Sequence, residues 1–114
     1  MANTTVLRSA GKTYAIAVTA TSSTSITIDD TTNDQVNFAT FLNAGTKACA
    51  ITVSNLATAP VCVFPTAGTP GDFVLPANMT YPVTLAVPTA PFQITAVCGG
   101  TDTTTLYVTA VENQ

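Results

Sequence analysis

The sequence has no histidine, no tryptophan and only three cations, Arg8, Lys12 and Lys47. Each shortage excludes something. Without histidine, the usual general base, zinc ligand and triad partner are missing together. The chain therefore reads as a non-enzyme, with no cofactor and no metal expected. Three scattered cations do not neutralise a row of phosphates, so no nucleic acid is expected as a partner. No apolar run approaches the roughly 18 residues of a membrane span, so no membrane partner is expected either. Charged residues amount to 8% of the chain, against roughly a quarter in an average soluble domain.

What is present is threonine, 24 residues in 114, with 17 alanines and 12 valines. Apolar residues make up 46% and the net charge is only −3, a balance that does not suit disorder. The length fits one domain, and such a chain buries roughly 65% of its unfolded surface without needing disulfides.

Three cysteines, Cys49, Cys62 and Cys98, are spaced by 13 and 36 residues, with no C-x-x-C pair. An odd count argues against a secreted disulfide framework. Cys49 shares parity with Ile51 and Val53, and Cys98 with Phe92, Ile94 and Ala96, so both are expected in the core as small hydrophobes. The stretch YAIAVTA (14–20) follows Arg8 and Lys12 and faintly imitates a signal peptide. Its alternation reads instead as a first strand, with residues 1–12 as an N-terminal arm and 13–114 as the folded domain.

Period-two alternation recurs along the chain, and helical periodicity does not. Tyr14, Ile16, Val18 and Ala20 form one strand face; Ile26 and Ile28 mark a second strand. Val36, Phe38, Thr40 and Leu42 mark a third, and the turn NAGT (43–46) is expected to close a hairpin into Cys49, Ile51 and Val53, with Asn43 and Gly45 at positive φ. Val61–Phe64 reads as a short buried or edge strand, and PTAGTPGD (65–72) as the longest irregular loop. Val83, Leu85 and Val87 share a face in a strand that Pro82 demotes to an edge or a bulge. GGTD (99–102) is expected to close a last hairpin between 92–98 and 104–111. About eight short strands separated by turn residues predict an all-β fold, a single antiparallel β-sandwich or jelly roll.

So few charges leave the exposed strand faces mostly to Thr, Ala, Ser and Asn. Such a face can be covered by another protein without stranding charge, so much of the surface is expected to be covered in the working state. The remaining candidate sites are bland. Asp29, Asp30, Asn33 and Asp34 lack the spacing of a calcium loop and suit a turn. Asp72, Asp102 and Glu112 read as solvated acids, and Tyr14, Tyr81 and Tyr107 as packing residues more than as a sugar platform. Asn3 and Asn78 begin glycosylation sequons that matter only on a secretory route.

The segments FLNAGTKACAITVSN, LPAN, PFQITAV and TTTLYVTAVEN, covering about 42–54, 75–78 and 91–112, resemble small virion proteins of tailed bacteriophages. The resemblance implies a capsid decoration or cement protein, a β-sandwich or jelly roll acting as a homo-oligomer, dimer or trimer. Its partner would be the major capsid protein, and its place the capsid surface after synthesis in the host cytoplasm. It carries no catalytic residues. The segments to watch for capsid contact are Ala2–Ser9 and Pro65–Asp72. A head-fibre or tail component, or a secreted or surface-displayed sugar-binding adhesion module, is the competing reading; fold alone does not separate them.

Overall fold

A computed structural model of the chain describes residues 7–20, 24–28, 36–55, 60–88 and 92–113. They form eight strands: β1 (Leu7–Val18), β2 (Thr24–Ile28), β3 (Val36–Asn43), β4 (Cys49–Ser54), β5 (Phe73–Leu75), β6 (Val83–Ala86), β7 (Phe92–Cys98) and β8 (Thr104–Asn113). One sheet, here sheet A, has the order β1-β8-β3-β6; the other, sheet B, has the order β2-β7-β4-β5. Each of the first four strands pairs antiparallel with its mirror counterpart among the last four: β1 with β8, β2 with β7, β3 with β6, β4 with β5. That is a long hairpin rolled until β8 meets β3 and β7 meets β4, the jelly-roll arrangement. The all-β sandwich expected from the alternation is the observed fold.

Rolling changes what the turns do. β3 and β4 lie in different sheets, as do β7 and β8, so NAGT and GGTD close no hairpins; each carries the chain across the sandwich. Only Gly100, with Gly68 and Asn78, has positive φ among the described residues, so Asn43 and Gly45 are not in the left-handed region. Gly100 begins the centre of a turn closed by the Asp102 amide donating to the Gly99 carbonyl at 3.0 Å.

The inward face of sheet A carries Ile16 and Val18, Leu106, Val108 and Ala110, and Ala39 and Phe41. Sheet B answers with Ile28, Cys49, Ile51, Leu75, Phe92, Ile94, Ala96 and Cys98. The buried face of β3 is therefore 39/41/43, the opposite parity to the expected Val36/Phe38/Thr40/Leu42 face. β1 starts at Leu7, so residues 7–12 of the expected arm are strand; residues 1–6 lie outside the described residues. Between Ser9 and Thr13 the register against β8 shifts, Val111 and Thr109 being their partners. This bulge breaks the period-two pattern that would have extended the strand. β6 begins one residue after Pro82 and is an edge strand, since a proline has no amide to give a neighbour.

Residues 60–65 form no strand but lie over the outer face of sheet B. Cys62 packs with Ala50 and Val97 there, joined by Phe64, and a Cβ at Gly99 would sit 3.0 Å from the Phe64 ring. This cover buries Val97 on the outer side of β7, whose inner side faces the core; Thr95 is buried as well.

Candidate functional site: interaction faces

The turns that cross the sandwich at one end are held by a single side chain. Asn43 is fully buried. Its Nδ2 donates to the Lys47 carbonyl at 2.8 Å, and its Oδ1 accepts from the Thr104 hydroxyl at 2.7 Å and from the Gly45 amide at 3.3 Å. The Met79 amide donates to the Asn43 carbonyl at 3.0 Å, and the Asn78 amide to the Gly45 carbonyl at 2.8 Å, with Asn78 at φ 57°. NAGT, LPAN and the start of β8 thus meet at one place. Asn43 satisfies buried backbone groups and fixes the crossover; its role here is structural. The neighbouring pair Lys47–Asp102, 3.9 Å apart and well exposed, adds little.

The stretch 65–72 is ordered rather than irregular. Thr66 and Thr69 exchange backbone bonds of 3.1 and 2.9 Å around Gly68, whose φ is 84°. Asp72 closes the base twice: its amide donates to the Val63 carbonyl at 2.8 Å, and its carboxylate accepts from the Val63 amide at 2.7 Å. Gly71 lies so close to Val63 and Pro65 that no Cβ fits. The result is an exposed, proline-stiffened hairpin.

Large apolar side chains stand exposed at its foot. On the entering arm Cys62 and Phe64 turn inward, leaving Val61 78% exposed and Val63 half exposed; on the leaving arm Phe73 is 53% exposed and Val74 is also exposed. These are four of the six exposed large hydrophobics among the described residues. Alternation alone does not find them, because it marks 61–64 and 73–75 only as apolar runs. Val74 shares the outward parity of Ala50 and lies on the side that residues 60–65 cover, whereas Phe73 shares the parity of Ile51 and Leu75. Exposed apolar side chains around one hairpin of a charge-poor domain are candidates for contact.

The outer face of sheet A is different in kind. Thr13 pairs with Thr109, Thr109 with Thr40 and Thr40 with Thr84, giving a row of threonines across all four strands. The next row is Ala15–Tyr107–Leu42, and the row after it pairs Ala17 with Thr105. The Thr13 and Thr109 hydroxyls lie 2.7 Å apart, and the Thr40 hydroxyl donates to the Thr109 carbonyl at 3.5 Å.

The other candidates scatter. Tyr14 packs against the core, Tyr107 faces out from the same sheet, and Tyr81 is 82% exposed before β6; Tyr14 and Tyr107, on opposite faces of one sheet, share no platform. Asp29, Asp30, Asn33 and Asp34 lie outside the described residues, as do Asn3 and most of Ala2–Ser9. Among the described residues no three His, Cys, Asp or Glu gather as a metal site.

All three thiols are free and buried. Cys49 and Cys98 are cross-strand partners facing the core, as their parity implies, and Cys62 lies on the opposite face of the sheet. Burial, then the nearby Cys98 and Cys62, pushes the Cys49 thiol up to about 12. Burial also raises Cys62 and Cys98. Only a thiolate attacks an alkylating reagent, so the native protein at pH 8 is expected to leave its thiols unlabelled over an hour, and to expose all three in denaturant. Labelling of Cys49 in the native state would contradict this burial. The same shift has a sign for stability. The unfolded thiol releases its proton near 8.5, and the folded Cys49 holds its proton to about 12. The contribution is complete below pH 8.5 and is lost as pH climbs toward 12.

Comparison with protein-family models, curated proteins and solved structures gives no match.

Proposed function

We propose that this chain is a structural virion protein: a capsid decoration (cement) protein that binds the outer shell and bridges neighbouring major capsid subunits. The observation that carries this reading is the ordered hairpin 63–72 with Val61, Val63, Phe73 and Val74 exposed at its foot. A hairpin already closed by backbone bonds loses little conformational entropy on docking, and its apolar foot supplies the gain. A cement protein acts by adding interface, on the order of 800 Å² per partner, at many symmetric sites, so that modest single contacts sum by avidity. The scatter of the tyrosines favours this reading over a sugar-binding module, which needs flat aromatics grouped together.

The direct test is quantitative mass spectrometry of density-banded particles from the source lysate. Copy numbers comparable with the main shell protein are expected. A handful of copies per particle would move the chain to a head fibre or the tail, and absence from particles would sink the virion reading. In a rebinding assay with stripped particles, Val61→Asp with Val63→Asp is expected to weaken binding about tenfold to a hundredfold, leaving the far-ultraviolet spectrum unchanged. Undiminished binding would remove the hairpin foot from the contact.

A further inference from the structure

We infer that the outer face of sheet A is the interface with a second copy of this chain, paired face to face about a two-fold axis. Sheet B is covered by residues 60–65 where Ala50 and Val97 face outward. On the outer face of sheet A the end at Val111 and Phe38 is already shielded, and the rest carries no cover of that kind among the described residues. Thr13, Ala15, Ala17, Thr84, Ala86 and Tyr107 are all exposed there. Three strands over about seven residues and β6 over its four, at about 4.8 Å spacing and about 3.3 Å rise, give a footprint on the order of 400 Å². That is about half of the roughly 800 Å² of accessible surface per partner in a standard interface, the range of a weak, concentration-dependent dimer.

The chemistry selects the occupant. None of the side chains described on this face carries a charge, so a charged partner would be desolvated with nothing to pair against. Three hydroxyls of the threonine row, those of Thr13, Thr109 and Thr40, already bond within the sheet, so an uncharged cover has only the Thr84 hydroxyl of that row left to meet. An uncharged Thr/Ala sheet face is matched by another of the same composition. Shape agrees. Tyr107 stands as a knob in register with Ala15, beside Ala17 in the next row, so the face carries both a projection and a small-residue dip next to it. A two-fold axis places each tyrosine over the alanines of the other copy, the mutual fit that isologous pairing requires. Two twisted sheets stacked in this way pack as aligned sandwich layers do, about 10 Å apart.

The pairing uses a surface separate from the hairpin foot and does not rest on the shell reading. A dimer that ignores particles would end that reading and leave this inference standing. The experiment is sedimentation velocity on the full chain from 1 to 100 µM, with thermal unfolding to confirm that each variant folds. The wild type is expected to dimerise as concentration rises. Ala15→Arg, at an exposed position, and Tyr107→Ala are each expected to weaken dimerisation at least tenfold, while Val61→Asp leaves it unchanged. A wild type that stays monomeric throughout would overturn the inference, as would a dimer or trimer that persists in both Ala15→Arg and Tyr107→Ala.

Discussion

Replacing Phe41 with alanine is expected to cost about 4 kcal/mol, and the same change at Phe38 about 1 kcal/mol. Phe41 is fully buried on the inner face of β3, in register with Val83 on one side and Val108 on the other. Removing its ring leaves a cavity between two sheets whose backbones are fixed by their ladders, so relaxation is limited and the lost contacts are not regained. Phe38 lies on the outer face in register with Val111 and Ala86 and is half-buried, so its ring gives up less burial and fewer contacts. Against the 5–15 kcal/mol typical of a folded domain, the first loss is a large fraction. Urea unfolding of both variants measures the difference. A larger loss at Phe38 than at Phe41 would mean that β3 presents its other face to the core.

That difference bears on what the sequence discloses. VNFATFLN places a phenylalanine on each parity, and the alternation does not choose between them. The choice is made by Asn43, which must reach Lys47, Gly45 and Thr104 inside the fold and so carries Phe41 and Ala39 inward with it. A one-residue slip in a strand exchanges its faces, and the residue that fixes this one is polar, which a search for apolar periodicity passes over. Elsewhere the period sufficed: Ile16 and Val18, Cys49 and Ile51, and Phe92, Ile94, Ala96 and Cys98 are all buried on the faces their spacing implies.

Turn chemistry was legible and its topological meaning was not. NAGT, LPAN and GGTD are all turns, but a short turn between two alternating runs looks the same whether the strands pair with each other or face each other across a core. In a rolled hairpin the pairing partners are far apart in sequence, β1 with β8 and β2 with β7. Local residues therefore cannot announce them. The contact surfaces are similarly hidden. The threonine row across sheet A exists only once Thr13, Thr109, Thr40 and Thr84 come into register, and the apolar foot of the hairpin appears only once Cys62 and Phe64 turn inward and leave Val61 and Val63 outside. The low charge predicted covered faces in general; topology assigns them to places.

Asn43→Ala is expected to lose about 3 kcal/mol by chemical unfolding, with no apolar contact of comparable size removed. The loss comes from the groups left behind. The Lys47 carbonyl and the Thr104 hydroxyl, bonded to Asn43 at 2.8 and 2.7 Å, would be left near a buried gap without a partner. Asn43→Asp keeps the acceptor for Thr104 but turns an oxygen toward the Lys47 carbonyl, so it too is expected to destabilise. Gly45→Ala attacks the same bond from the other side. A Cβ there would occupy the position of the Thr104 hydroxyl and lie 3.2 Å from the Thr104 Cα, so backbone as well as side chain must move; overpacking of this kind costs about 2 kcal/mol. Because each change breaks the Asn43–Thr104 bond, the double variant is expected to lose at least about 1 kcal/mol less than the sum of the two single losses. Simple additivity would mean that the crossover from sheet A to sheet B is held at two independent points. The strand face chosen by Asn43 would then need another cause.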